Sequence, residues 1–530
     1  MRLRTAGPSW LLSALLAAAC SSRSVGGGAG GAGGGAGLQT SGGQGGHGGS
    51  AGSAGGRPDA GHGADAGAGA GAGDGTDAGD GTDAGNGTDA GPPAGCTFQM
   101  NVAPSDMIPT VGVVDWTVNL PGLTAASIEF TLDDPAPGTI NVGSGGEISV
   151  AGTTHRALML GMKPQRSYTY RIVAKGGPTG STICTSPDQS FTTGPLDPTI
   201  APTVTRTVMN AAAQARGFIV TSGGYQSGWQ FAYIVDADGD TVWWAPSPAA
   251  CTRALMDWEG QNMWMVNTIF PEITGSQAAS VAMDGTGMTV LRDDPFSYAH
   301  HDLTVAPGGV TTFLIWNSQA TDMSSSLVER APDGTLTTVA NLDASTFGPW
   351  KTQFHANSVM YHPTDDTYTV SDLNARAYVK LSRQGQPLWQ FRQSCTGSVA
   401  PKCAASADIT SNHGHHLLDD GHFLFFDATS STKAPVYEYL LTQTSTALTA
   451  DPVWTYTADS IGSNVLGDIQ RLPNGNTLID YCSHGEMLEL SPTGDIVQVL
   501  DATGPAPSMA GYYNFGYMNF RETLYGPPLR

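Results

Sequence analysis

From about residue 200 onward, apolar and polar positions fall into short runs that read as β-strands, with no sustained helical period. Tyr233-Ile234-Val235-Asp236 leads into a turn at Gly239, Val281-Ala282-Met283-Asp284 into Gly287, and Leu327-Val328 into Gly334. Tyr378-Val379-Lys380-Leu381 before Gly385 and Met487-Leu488-Glu489-Leu490 before Gly494 continue the series. The turn glycines recur at steps of about 50 residues, the last gap spanning two steps, and one four-stranded blade takes roughly that length. The pattern predicts six such units between 205 and 530, closing as a six-bladed β-propeller. Trp243, Trp244, Trp389 and Trp454, which follow the turns, are expected to pack between blades.

Residues 96–200 show a different rhythm. Val113-Val114-Asp115-Trp116-Thr117-Val118 alternates and turns its Trp inward, and Ser190-Phe191-Thr192-Thr193 reads as a closing strand. The run Met162 to Val173, with Tyr168 as the corner residue, resembles the tyrosine-corner segment of fibronectin type III domains. The expected fold class is therefore all-β: a six-bladed β-propeller over 201–530, preceded by a small fibronectin type III-like β-sandwich over 96–200.

The N-terminal part changes the picture. Arg2 and Arg4 precede an apolar run from Trp10 to Ala19, the layout of a signal peptide over 1–19. Leu16-Ala17-Ala18-Ala19-Cys20 resembles a bacterial lipobox, which makes Cys20 the expected lipidation site; plain cleavage is the alternative. Ser21 is not the Asp that retains such lipoproteins at the inner membrane. The expectation is an outer membrane-anchored lipoprotein, periplasmic or cell-surface, against a free periplasmic or secreted protein. Residues 20–95 are Gly, Ala, Ser and Asp with almost no large apolar side chain, so ordering them could not offset the backbone entropy lost. As a flexible spacer this segment would reach about 45–50 Å.

Charge and cysteines narrow the partners. With 24 Lys+Arg against 46 Asp+Glu and a net charge of −22, the chain lacks the basic footprint of a nucleic-acid binder. No run after the N-terminus is long and apolar enough to span a bilayer, so the membrane is reached by the lipid anchor only. Of seven Cys, Cys20 is assigned to lipid. Cys96 with Cys184 and Cys395 with Cys403 are plausible pairs, while Cys251 and Cys482 would have to meet across a larger structure. Connectivity stays open at this level. No CxxC or paired-His spacing suggests zinc, and no metal or other cofactor is expected.

The chemistry lies in the other half of the repeat. His301 stands eight residues before Gly309, His413 before Gly421, and Gly467 holds the same place before Gly475. His355 opens the intervening unit in the same phase. Three consecutive blades thus place a His at the start of their first strand, and first strands line the central channel, so equal phase means convergence. A His413-x-His415 metal pair is a lesser reading, since no carboxylate is placed to complete it. His362, His416, His422 and His484 read as structural. Asp236-Ala237-Asp238-Gly239-Asp240 resembles the start of a calcium loop, yet its phase is that of the plain hairpin turns. Arg471 and Asn474-Gly475-Asn476 read as turn-fixing residues.

At these residues the chain resembles the bacterial arylsulfate sulfotransferases. The likeness runs over roughly 205–530 and is carried by His300-His301-Asp302-Leu303, His355-Ala356-Asn357-Ser358, Asn412-His413, Gln470 to Ile479, and Phe520-Arg521-Glu522-Thr523-Leu524-Tyr525. The resemblance implies sulfuryl transfer from a small aromatic sulfate donor to a phenolic acceptor, without a nucleotide sulfate donor. It implies His413 as the nucleophile that becomes transiently sulfated, with His301 and His355 as flanking catalytic histidines. Asn357 falls on an oxygen-binding amide, with His300 and Arg376 beside it as substrate-binding residues. The family carries an Arg where this chain has Leu373, and Arg376 is the nearest cation in sequence. A covalent relay implies ping-pong kinetics. The alternatives are a non-catalytic ligand- or protein-binding propeller on the cell surface, or an aryl sulfate hydrolase. A homodimer is left open. The imidazoles of His301, His355 and His413 should meet within about 10 Å of one another.

Overall fold

The computed structural model describes residues 95–197, 203–223, 230–268, 274–349, 352–503 and 515–528. The expected signal peptide, Cys20 and nearly all of the spacer lie outside the described residues.

Two antiparallel sheets build the first unit. One holds Phe98–Pro104, Gly112–Val118 and His155–Met159; the other holds Gly143–Ile148, Ala125–Leu132, Ser167–Gly176 and Thr182–Thr185, with Gln189–Thr192 pairing along Ser167–Gly176. Strict alternation in Ser167–Gly176 turns Tyr168, Tyr170, Ile172 and Ala174 onto Trp116, Ile128 and Phe130 in one core. The amide of Lys163 donates to the Tyr168 hydroxyl at 2.7 Å, the bond a tyrosine corner requires. Cys96 and Cys184 form a disulfide, as do Cys395 and Cys403, whereas Cys251 and Cys482 are buried free thiols.

Six further sheets follow, four of them made of strands consecutive in sequence. Their first strands are Asn519–Arg521, Cys251–Met256, Ala299–Ala306, Ala356–His362, Asn412–Leu417 and Asp468–Arg471. The C-terminal strand Asn519–Arg521 adds to Phe218–Gly223 of the first sheet, and Thr203–Val208 adds to Ile496–Thr503 of the last, so the beginning and end of this region are stitched together. Met518 and Phe520 donate their amides to Asp468 and Gln470, at 3.2 and 2.7 Å, joining the first sheet to the sixth. Among the described residues a cavity of about 60 Å³, room for a few waters, is lined by first-strand residues of all six sheets.

The middle strands are apolar on both faces because each sheet is covered on both sides. In His422–Asp427, Phe423 and Phe425 pack toward Tyr378 and Phe391 of the preceding sheet, while Leu424 and Phe426 pack toward Ile469, Ile479 and Tyr481 of the next. Trp243, Trp244 and Trp389 are buried in such inter-sheet layers, with Trp454 partly buried beside one. Four of the five repeating glycines sit where predicted, in hairpin turns with φ of +87° at Gly239, +88° at Gly334, +78° at Gly385 and +88° at Gly494; in the second sheet the turn is closed by Gly285, at +81°, and not by Gly287. The fifth sheet makes the corresponding turn through Thr444 to Ala447 without a glycine, which explains the doubled interval.

The Asp236–Asp240 turn holds no metal-like geometry of its own. The Lys163 ammonium from the first unit fills it, bonding Asp236, Asp238 at 2.9 Å and Asp240 at 2.7 Å. Tyr525 crosses the other way, accepting from the Leu160 amide at 2.8 Å and donating to the Leu158 carbonyl at 2.6 Å. These two exchanges fasten the first unit to the sheets.

Candidate functional site

The starts of the first strands are irregular at matching places. Pairing with the second strand slips between Cys251 and Arg253, Ala299 and Leu303, Ala356 and Ser358, and Asn412 and His415. A bulge re-aims the side chains it contains, so four adjacent sheets each turn residues inward at one level. His301 takes φ of +53°, a backbone state that a non-glycine residue rarely adopts. The loops leading into two of these strands are held by carboxylates at the ends of second strands. Asp372 accepts from the His355 amide at 2.7 Å, and Asp427 accepts from the amides of Thr410 and Ser411 at 2.7 and 2.9 Å.

His300, His301 and His355 meet directly. Nδ1 of His300 lies 2.8 Å from Nδ1 of His301, and Nε2 of His301 lies 3.2 Å from Nε2 of His355. The His301 and His355 ring centroids are 4.9 Å apart. Trp316 stacks on His300 at 3.9 Å and meets His355 edge-on at 5.6 Å. His413 adjoins them: a charge on it would depress the pKa of both His301 and His355. Its Nδ1–H donates to the Ser411 carbonyl at 3.0 Å, which fixes the tautomer and leaves the Nε2 lone pair for chemistry. Burial drives the pKa of His413 and of His355 down to about 4 and those of His300 and His301 well below the usual value, so all four imidazoles are neutral near pH 7.

Two glycines permit this packing. A Cβ on Gly414 would come within 2.2 Å of the Asp468 carboxylate, and one on Gly467 within 2.2 Å of the Phe426 ring. The sixth sheet therefore has a glycine at the histidine position for steric reasons.

Three residues expected to contact substrate each have partners within the protein. His300 is fully buried with its Nε2 on Ser325 Oγ at 3.0 Å and its Nδ1 on His301, so both ring nitrogens are engaged within the protein. Asn357 is fully buried and donates from Nδ2 to the Asn412 carbonyl at 2.8 Å; it holds the strand of His413 in place. Arg376 sits in the turn after Thr367–Asp372, with φ of +48° and Nη1 on Gln393 at 3.0 Å. Leu373 donates its amide to the His355 carbonyl at 2.9 Å, which places it against the histidine backbone.

The second set of histidines is pinned. His415 lies between Ser358 Oγ and Thr369 Oγ1, both at 2.7 Å, and Thr369 also meets His362 Nε2 at 2.8 Å. His416 Nδ1 accepts from the Arg471 amide at 3.0 Å. His415 thus has no ring nitrogen left for a metal, and among the described residues no group of three or more His, Cys, Asp and Glu is arranged to hold one.

A buried ionic layer beneath the histidines was not anticipated from sequence. Arg253 lies 3.0 Å from Asp302 and 3.1 Å from Asp468, and its guanidinium faces Tyr517 at 5.7 Å. Each aspartate also ties two sheets: Asp302 accepts from Val359 at 2.9 Å, as Asp468 accepts from Met518. Burial pushes Asp468 up to about 7 against the opposing pull of Arg253. Tyr517 donates to the Asn357 carbonyl at 2.8 Å. The available signal was phase, since Asp302 and Asp468 each follow the residue in the histidine position.

No family model matches the chain, and no curated protein matches it. Among solved structures, it is similar to a catalytically inactive virginiamycin B lyase from Staphylococcus aureus with quinupristin, at 10% identity over 61% of this chain and 97% of that one, TM-score 0.36. A streptogramin B lyase aligns at 13% identity over 57% and 88%, TM-score 0.33. A putative 6-phosphogluconolactonase from Bacteroides uniformis aligns at 15% identity over 57% and 83%, TM-score 0.35. Likeness at this level assigns neither site nor chemistry.

Proposed function

We propose that the six sheets are the blades of a propeller and the first unit a fibronectin type III-like sandwich, and that the protein is an exported, lipid-anchored aryl-sulfate sulfotransferase. The observation that carries the activity is the direct contact of His301 with His355, with His413 on the next first strand near enough for its charge to depress both and its Nε2 free of partners among the described residues.

A neutral imidazole with Nδ1–H held by a carbonyl is a competent nucleophile at Nε2. Attack on the sulfur of an aryl sulfate forms the N–S bond and breaks the S–O(aryl) bond, releasing phenolate. The N-sulfated imidazole, positively charged on the ring, then donates the sulfuryl group to a second phenol, and His413 is restored. His355 is placed to protonate the leaving oxygen, and His301 to orient His355. Asn357 serves by fixing Asn412 and hence the approach of His413.

Leu373 in the place of the family's Arg favours a second reading, a propeller that binds an aromatic ligand without turnover. The two separate in one experiment. Purified protein is incubated with p-nitrophenyl sulfate, with and without phenol, beside His413→Ala. Nitrophenolate release that requires phenol and is lost in the variant supports transfer. Release independent of phenol points to hydrolysis, and silence from folded protein across several aryl sulfates rejects catalysis.

A further inference from the structure

We infer that Ser325 and His300 form the far end of a reversible proton chain that serves His355, an inference that deepens the sulfotransferase reading and rests on it for its chemistry. The chain is Ser325 Oγ, His300, His301 and His355, linked at 3.0, 2.8 and 3.2 Å. All four residues are at least nine-tenths buried. Among the described residues, nothing else bonds Ser325 Oγ or Nδ1 of His355.

A neutral imidazole carries one N–H, and each link here needs one proton. Two arrangements satisfy every link. In the first, Ser325 donates to His300 Nε2, His300 Nδ1–H to His301 Nδ1, and His301 Nε2–H to His355 Nε2, leaving Nδ1–H of His355 outside the chain of bonds. In the second, every proton lies on the other side of its bond, and Nδ1 of His355 offers a lone pair. Both are uncharged, so a site that excludes water can present an acid or a base without burying an imidazolium.

The two half-reactions need these two states in turn. When phenolate leaves, it takes the Nδ1 proton of His355. His355 Nε2 then takes the proton of His301, His301 Nδ1 that of His300, and His300 Nε2 that of Ser325. The serine oxygen takes a proton from solvent as its own leaves, so no alkoxide is formed. When the acceptor phenol attacks the sulfated His413, its proton goes to His355 Nδ1, the chain shifts back, and one proton returns to solvent from Ser325. Over the cycle no proton is gained or lost. His300 and Ser325 touch no substrate; they are positioning residues whose exchangeable protons make the reversal available. The stack of His300 on Trp316 holds the ring in line with both partners.

The test uses the whole protein with Ser325→Ala and with His300→Phe, which keeps a ring on Trp316. Activity is measured with p-nitrophenyl sulfate, whose leaving group needs little protonation, and with unsubstituted phenyl sulfate, whose leaving group needs it. Both variants should slow phenyl sulfate about 10²-fold and p-nitrophenyl sulfate less than about threefold, the signature of lost proton donation. An equal loss on both donors would overturn the relay and leave only a packing role. A second readout needs no turnover: ¹⁵N resonances of the histidine rings report which nitrogen carries the proton. Ser325→Ala should shift the Nδ1 signal of His355 two rings away, and an unchanged signal overturns the inference. If wild-type protein transfers no sulfuryl group yet shows that shift, the proposed function fails and the chain stands.

Discussion

Two groups of histidines lie along the same first strands, equally buried and equally short of charge, yet built differently. In the lower group the chain of bonds has a fixed direction. Ser358 donates to the His413 carbonyl at 3.1 Å, a carbonyl can only accept, and so His415 must donate from Nδ1 and accept from Thr369 at Nε2. In the upper group the chain ends in a hydroxyl at Ser325 and a His355 nitrogen with no bond among the described residues, and either direction is satisfied. The difference teaches that burial and depressed pKa do not mark a catalytic histidine. What distinguishes the groups is whether the network terminates in a group with one role or with two.

The comparison breaks most sharply at His413. His413→Ala should lower transfer by about 10³-fold or more, since nothing else supplies the nucleophile, while the melting temperature changes little. Nitrophenolate release and circular dichroism check the two halves of this statement.

Acid should act on both groups together. Burial holds His355, His413 and His416 at about 4 and His415 at about 3, against 6.5 in the unfolded chain. Between those values the unfolded state binds protons that the folded state refuses, so stability is full above pH 6.5 and lost as pH falls toward 4. With several such groups the loss should reach several kcal/mol, roughly 1.4 per pKa unit and residue before relaxation. Denaturant midpoints from pH 7 to 4.5 measure it, and a flat profile would contradict the burial argument.

His415→Ala should cost about 2–3 kcal/mol by leaving Ser358 and Thr369 each short of one partner, with transfer per folded molecule reduced less than about tenfold. A large loss of activity in a stable variant would move His415 into the functional group. The smallest effect is expected at Asn357. Asn357→Ala frees the Asn412 carbonyl and should slow transfer about tenfold through misplacement of His413, with little change in binding of the donor. An effect on KM alone would argue instead for direct contact with substrate oxygens.

Much of this architecture is legible in the residues themselves. Strands covered on both faces must be apolar on both faces, which is why His422–Asp427 reads as Phe-Leu-Phe-Phe and its neighbours look alike. Hairpins with positive φ favour glycine, so Gly239, Gly285, Gly334, Gly385 and Gly494 print the repeat into the chain. The phase of His301, His355 and His413 follows from the same regularity. Pairing partners were less accessible, and Cys251 and Cys482 remain thiols because each is buried in its own layer.

Roles within the site were decided elsewhere. Whether His300 faces substrate or stands behind His301 depends on a bulge between Ala299 and Leu303, and one residue of slip reverses the face of every side chain that follows. Asn357 and Arg376 were placed by neighbours from other sheets and turns, Asn412 and Gln393. The Arg253, Asp302 and Asp468 layer joins residues from three separate sheets. Sequence alone determined the repeat, the turns and the level at which histidines gather, because these are local consequences of strand period and backbone sterics. Only the tertiary structure decided which nitrogen meets which partner, because a hydrogen bond depends on fractions of an ångström between strands far apart in the chain.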